Sequence, residues 1–285
     1  MSDRNSSLRP LTEQGFWDSV SSKRLDTDTP PKATTRRLTP WLRSLFADHT
    51  MAMAERVCAR YLPRDPSRKM LEVGCAPGGI LARFNSLLGY QPYGLEYAPA
   101  GVEETRRTFQ RHGFDPSHVI EADLFDPRTA TEHGEKYDLV MSFGLIEHFS
   151  DPAEVIRRHV DLVRPGGYLV IQIPKLTGIC LLTMWLFRRE FIGQHNRTIM
   201  HSRHFEQLFN GLSVERLYCG HVGFLKFYGL FSRRERTVRG LAARVCDRAQ
   251  SGLNAVMRVG FAGRNLTWPW SPALLYIGRK PASPR

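Results

Sequence analysis

A chain of 285 residues with 42% apolar content is long enough to bury a sizeable core, so no disulfide or metal staple has to be invoked for its stability. The five cysteines form no Cys-x-x-Cys pair, which argues against a zinc ribbon or disulfide framework, and the polar start lacks the apolar core of a secretory signal, so a cytoplasmic protein is expected. The net charge of +12 is unevenly placed: from Phe224 onward twelve basic residues face two acids. Such an excess attracts an anionic surface, whether membrane, nucleic acid or acidic substrate, with a solvated basic face as the plain alternative.

Residues 1–40, rich in Ser, Thr, Asp and Pro, read as a flexible lead-in, interrupted by Phe16-Trp17-Asp18 as a docking point. A helical pattern then runs from Pro40 to Tyr61. Strands and helices alternate after it: strand 70–73, helix 79–88, strand 92–96, helix 99–112, strand 118–121, strand 137–142, helix 152–163 and strand 168–173. Strands separated by helices imply parallel pairing, right-handed crossovers and helices on both faces, an α/β fold. A helix near 201–210, a strand near 213–219 and a strand from Ala273 to Arg279 follow. Between the last two lies a basic helical insertion, 224–262, so the main domain comprises 41–223 and 263–285.

Two apolar segments invite a membrane reading. Leu176 to Phe187 is too short to span a bilayer and reads as a lid or acceptor pocket, with Trp185 as a substrate contact. Leu241 to Val259 places Leu241, Val245, Ala249, Leu253, Val256 and Met257 on one helical face, opposite Arg244, Arg248 and Arg258. Packing of that stripe on the main domain is the expectation, and a membrane interface the alternative.

The chemistry centres on Glu72-Val73-Gly74-Cys75-Ala76-Pro77-Gly78-Gly79, a strand that breaks into a glycine turn and opens a helix. Glycine there tolerates positive φ and lets a ligand approach the backbone. Alanine at the second glycine position of Gly-x-Gly-x-x-Gly, and the rigid Pro77, argue against a dinucleotide domain. Glu96 ends the second strand, where a carboxylate can accept hydrogen bonds from both ribose hydroxyls. Asp123 follows the third strand and can accept from an exocyclic amine. The fourth strand runs on into Glu147-His148-Phe149-Ser150-Asp151-Pro152, and Arg164-Pro165-Gly166-Gly167 turns into the fifth.

With these five pieces in order, Lys69 to Lys175 resembles the Rossmann-like class I S-adenosylmethionine-dependent methyltransferases, in the small-molecule branch marked by Glu-His-x-x-Asp-Pro. The resemblance implies a doubly wound, mostly parallel seven-stranded sheet with an antiparallel last strand, plus helical insertions. It implies S-adenosyl-L-methionine as cofactor, with Glu72, Gly74 and Gly79 shaping the pocket for its methionine portion. Glu96 would hold the ribose, Asp123 and Leu124 the adenine edge, and Phe143 the floor. Cys75, Ala76, Gly78 and Tyr97 are further cofactor contacts. His148 is the candidate general base, with a backbone-bonded helix-start residue as its plain alternative. His195 and His201, beyond the apolar segment, are candidate substrate contacts. Some quinone-biosynthesis relatives carry a metal-binding Glu-x-x-Glu-His; here Gly144 replaces the first carboxylate, so no metal is expected. The Asn/Asp-Pro-Pro-Tyr/Phe segment of exocyclic-amine methylation is replaced by Ser142-Phe143-Gly144-Leu145, and a Pro-Cys nucleophile is absent. The expected reaction is methyl transfer to O or N of a small or lipid-like acceptor, with peripheral membrane contact. An RNA methyltransferase, and a non-catalytic cofactor-binding adaptor with a basic anion-binding C-terminal region, stand as alternatives.

Overall fold

The structure, a computed structural model, describes residues 10–25, 48–187, 189–226, 238–261, 264–265 and 267–282. The elements in chain order are α1 (Gln14–Leu25), α2 (His49–Tyr61), β1 (Lys69–Val73), α3 (Gly79–Leu88), β2 (Gln91–Glu96), α4 (Pro99–His112), β3 (Val119–Glu121), α5 (Pro127–His133), β4 (Tyr137–Phe143), α6 (Pro152–Leu162) and β5 (Val163–Pro174). After these come α7 (Gly178–Phe187), α8 (Ser202–Gln207), β6 (Glu215–Val222), α9 (Val238–Gly260) and β7 (Ala273–Arg279). The strands form one sheet in the order β3-β2-β1-β4-β5-β7-β6, with β7 alone antiparallel to its neighbours.

Both faces of the sheet are covered, and the alternation of side chains along each strand assigns them. Leu71 and Val73 of β1, Leu169, Ile171 and Ile173 of β5, and Leu274 and Tyr276 of β7 join one core cluster. Met70, Tyr168, Val170, Leu275 and Ile277 join the other. The helices start where the sequence provides caps: Asp48 accepts from Thr50 and Met51 N–H at the head of α2, and Asp151 accepts from Glu154 N–H at the head of α6.

Three features depart from the sequence-based elements. Helix α5 stands where only a connection is expected; Asp126 caps it and Pro127 occupies its first turn, but seven residues are too few to show an apolar period. Strand β5 begins at Val163, which pairs with Tyr137, and residues 164–167 then bulge out before Tyr168 pairs with Leu139. Within the lead-in, α1 packs on α4, while residues 1–9 and 26–40 lie outside the described residues.

Helix α9 is present within the 224–262 segment, of which 227–237 and 262 lie outside the described residues. Its orientation corrects the expected packing. Leu241, Val245, Val256 and Val259 are each more than half exposed, whereas Asn254 and Met257 are buried. Polar partners decide the inner face: Gln250 donates to the Leu225 carbonyl at 3.2 Å and Arg258 to the Asp48 carbonyl at 3.4 Å. None of the described helices is long and apolar enough to cross a membrane.

His159 of α6 gives the fold a pH dependence. It is fully buried, its Nδ1 lies 2.7 Å from the Val155 carbonyl and its Nε2 has no partner. Burial pushes its pKa down from 6.5 to about 4. The unfolded chain therefore takes up this proton first, and stability falls as pH drops through that window, by about 3 kcal/mol between pH 7 and pH 4. His159→Leu should lose that much less on the same acidification in denaturant titrations; an unchanged acid slope would refute the assignment.

Candidate active site

The sheet reverses its winding on either side of β1, and open α/β sheets collect ligands outside the strand tips at such a point. A cavity of about 440 Å³ lies there, within the range of small-molecule sites. Gly74 and Ala76 after β1, Glu96 and Tyr97 at the end of β2, Asp123 and Leu124 after β3, and Phe143, Leu145 and His148 at the end of β4 all line it. No Lys or Arg is among the described residues lining it.

The glycine turn is sterically obligatory. Gly74 has φ +70°, and a Cβ there would stand 3.0 Å from Leu145 Cδ1. Gly78, at φ +81°, begins α3. The turn also positions Glu96, whose carboxylate accepts from Ala76 N–H at 3.3 Å and from Tyr97 and Ala98 N–H at 3.0 Å each. Burial raises the pKa of Glu96, and the three N–H groups pull it back. Asp123 accepts from Phe125 N–H at 2.9 Å through one oxygen. Two carboxyl groups at successive strand tips, a wall with no Cβ at Gly74 and the lack of a lining cation suit a ligand with hydroxyls and positive charge, as S-adenosylmethionine is. They do not suit a pyrophosphate.

A strap within the segment expected to be a flexible lead-in closes one side. Pro10, Thr12, Trp17, Val20 and Ser21 line the cavity. Leu11 N–H donates to the His148 carbonyl at 2.7 Å, Gln14 donates to the Tyr97 carbonyl at 3.0 Å, and Asp18 accepts from Ala100 N–H at 3.2 Å at the head of α4. The Trp17 ring meets His148 edge-on at 5.1 Å. Phe16-Trp17 was the one signal of this docking in an otherwise polar segment.

His148 sits in the short turn 146–148 with its Nδ1 3.0 Å from the Gln194 carbonyl and 3.1 Å from Thr12 Oγ1. Burial, and then the neighbouring His195, push its pKa down to about 4, so the imidazole is neutral at pH 7. Glu147 beside it is driven up to about 8 by burial. The His195 ring lies 4.7 Å from that of His148.

The other sequence candidates lie elsewhere. Glu72 is buried and does not line the cavity, and burial and then the Glu96 charge hold its pKa well above the carboxylate range. Cys75 points into the core, where a Cβ on Gly94 would come within 2.5 Å of its Sγ. Gly78 and Gly79 open α3 without lining the cavity. Trp185 and His201 do not line it either. On α7, Cys180, Thr183 and Met184 take the buried side and turn Trp185 outward, where Arg189 lies 5.9 Å from its ring. His201 is exposed ahead of α8, edge-on to His204. The apolar segment therefore packs on the domain and contributes no wall to this cavity.

Residues 46–218 match the family described as "Methyltransferase domain". The ubiquinone biosynthesis O-methyltransferase of Yersinia pestis (strain Pestoides F) is 34% identical over 102 residues, 36% of this chain and 40% of that relative, so the chain spans two fifths of its length. Two solved structures share the fold. One is a Thermotoga maritima protein described as a possible histamine N-methyltransferase, with TM-score 0.55 and 11% identity over 94% of this chain and 100% of that one. The other is the geranyl diphosphate C-methyltransferase of Streptomyces coelicolor A3(2), with TM-score 0.51 and 12% identity over 80% and 75%. A strand-tip cavity walled by a glycine turn and two acids, in a chain whose residues 46–218 fit this description, places the protein in the methyltransferase-domain family.

Proposed function

We propose that the chain methylates an oxygen or nitrogen of a small, lipid-like acceptor, and does so against an anionic membrane surface. The observation that carries the reading is the cavity, acidic toward the cofactor and walled toward β4 by Leu145, Phe149 and neutral His148. S-adenosylmethionine, when bound, supplies an electrophilic methyl on a sulfonium. Glu96 orients the ribose, Asp123 the adenine edge, and Gly74 and Ala76 leave room for the methionine portion. The strap, with Trp17 and Val20, excludes water from the same space. His148, carrying its lone pair on Nε2, is placed to accept a proton from the acceptor. Catalysis on this plan is largely a matter of holding donor and acceptor in line. The O-methyltransferase relative, named for ubiquinone biosynthesis, supports an apolar acceptor over RNA.

The membrane contact is favoured by the outward apolar stripe of α9 and by exposed Leu182, Trp185 and Leu186 on α7. Exposed apolar side chains beside a basic region suit an anionic lipid interface.

Two measurements check this reading. Glu96→Ala and Asp123→Ala should each weaken S-adenosylhomocysteine binding in calorimetry by about tenfold or more, as expected for losing a charged hydrogen-bond acceptor; wild-type affinity in both would sink the site assignment. The full chain should co-sediment with vesicles containing phosphatidylglycerol, less so at high salt. Val245→Asp with Val256→Asp should release it while cofactor affinity is kept. Undiminished sedimentation of that double variant would remove α9 from the interface.

A further inference from the structure

We propose that Glu147, His148 and His195 form a binding site for a divalent transition-metal ion of the zinc class. One donor atom from each residue lies within 4.8 Å of the other two. The donors come from two loops that meet over the end of β4. Glu147 and His148 belong to the turn 146–148, and His195 follows the 3-10 segment Arg189–Gln194. Asn196 ties the loops together: its N–H donates to the Glu147 carbonyl at 2.6 Å and its side-chain amide to the Phe149 carbonyl at 3.4 Å.

The tautomers follow from the partners. A carbonyl oxygen only accepts, and His148 Nδ1 lies 3.0 Å from that of Gln194, His195 Nδ1 2.7 Å from that of Phe191. Each Nδ1 therefore carries the proton and each Nε2 the lone pair. Glu147 is 1% exposed, and its Oε2 has no hydrogen-bond partner. His148 Nε2 is 3.9 Å from Glu147 Oε1. Two imidazole lone pairs and the buried Glu147 carboxyl thus converge. A cation bound there would release the proton that burial keeps on Glu147, and imidazoles held through Nδ1 by carbonyls are the usual outer support of metal-ligating histidines.

Two imidazoles and one carboxylate select a zinc-class ion over Mg²⁺ or Ca²⁺, which prefer all-oxygen shells. Bonds of ~2.1 Å at tetrahedral angles put donors ~3.4 Å apart, so loading draws the three side chains inward. Sequence spacing argued against a metal because Gly144 removes the first carboxylate of Glu-x-x-Glu-His. His195 supplies the third donor from a separate segment, which no local motif displays. His148 also lines the cavity, whereas Glu147 and His195 do not, so the ion would sit beside the cavity. With His148 Nε2 bound to the ion, His148 could not also accept a proton from the acceptor, so a loaded site and the base role in the function proposed above are alternatives.

The test uses the full chain stripped by a chelator and titrated with Co²⁺, whose visible absorption reports coordination. One equivalent should bind with a saturable d–d spectrum, and Zn²⁺ should displace it. Glu147→Gln and His195→Ala should each weaken Co²⁺ binding at least 100-fold, while His204→Ala keeps wild-type affinity. Calorimetry with S-adenosylhomocysteine on the same samples should give an unchanged affinity in His195→Ala, which separates loss of this site from loss of the cofactor site. A stripped protein with no saturable Co²⁺ spectrum, or a His195→Ala variant that binds like wild type, would overturn the proposal. If Glu147→Gln does not fold, His195→Ala at its half-buried position decides alone.

Discussion

The Glu96 carboxylate, gripped by three backbone N–H groups at the tip of β2, is the constraint on which the site depends. Ala76 belongs to the turn after β1, and Tyr97 and Ala98 lead into α4, so one side chain fixes two loops from different strands. Burial opposes its charge, and the N–H groups offset that opposition. Gly101 in the first turn of α4 makes the arrangement possible: a Cβ there would stand 3.0 Å from Glu96 Cγ and 3.1 Å from Ala76 Cβ. The carboxylate is therefore oriented before any ligand arrives, which is how a first contact layer gains precision from the layer behind it.

Charge is unevenly distributed between the cavity and the rest of the chain. The cavity presents Glu96 and Asp123 with no Lys or Arg among the described residues that line it, while the sequence carries its basic excess beyond Phe224. The strand tips thus favour a cationic ligand despite the positive net charge of the whole chain.

The tips of β1 to β4 were legible because each of these strands ends in a carboxylate or is followed at once by a glycine, and the parallel order then brings those ends together. What periodicity could not show was direction. It placed Leu241, Val245 and Val256 on one stripe, but the inward side was decided by Gln250 and Arg258 finding carbonyls on Leu225 and Asp48. In the glycine turn it could not tell that Ala76 faces the cavity while Cys75 turns to the core against Gly94. Helix α1 escaped for a related reason. Its docking relies on side-chain bonds to distant backbone, such as Gln14 to Tyr97 and Asp18 to Ala100, and such bonds leave no local pattern. His195 likewise joins Glu147 and His148 only through the tertiary crossing that Asn196 fastens.

One edge of the cavity hangs from the end of β4. Leu11 and Thr12 are both latched to His148, one through its carbonyl and one through its ring. Any displacement of the turn 146–148 is therefore carried to the edge of the cavity that Pro10 and Thr12 line, and a shift of that edge is carried back to the end of β4.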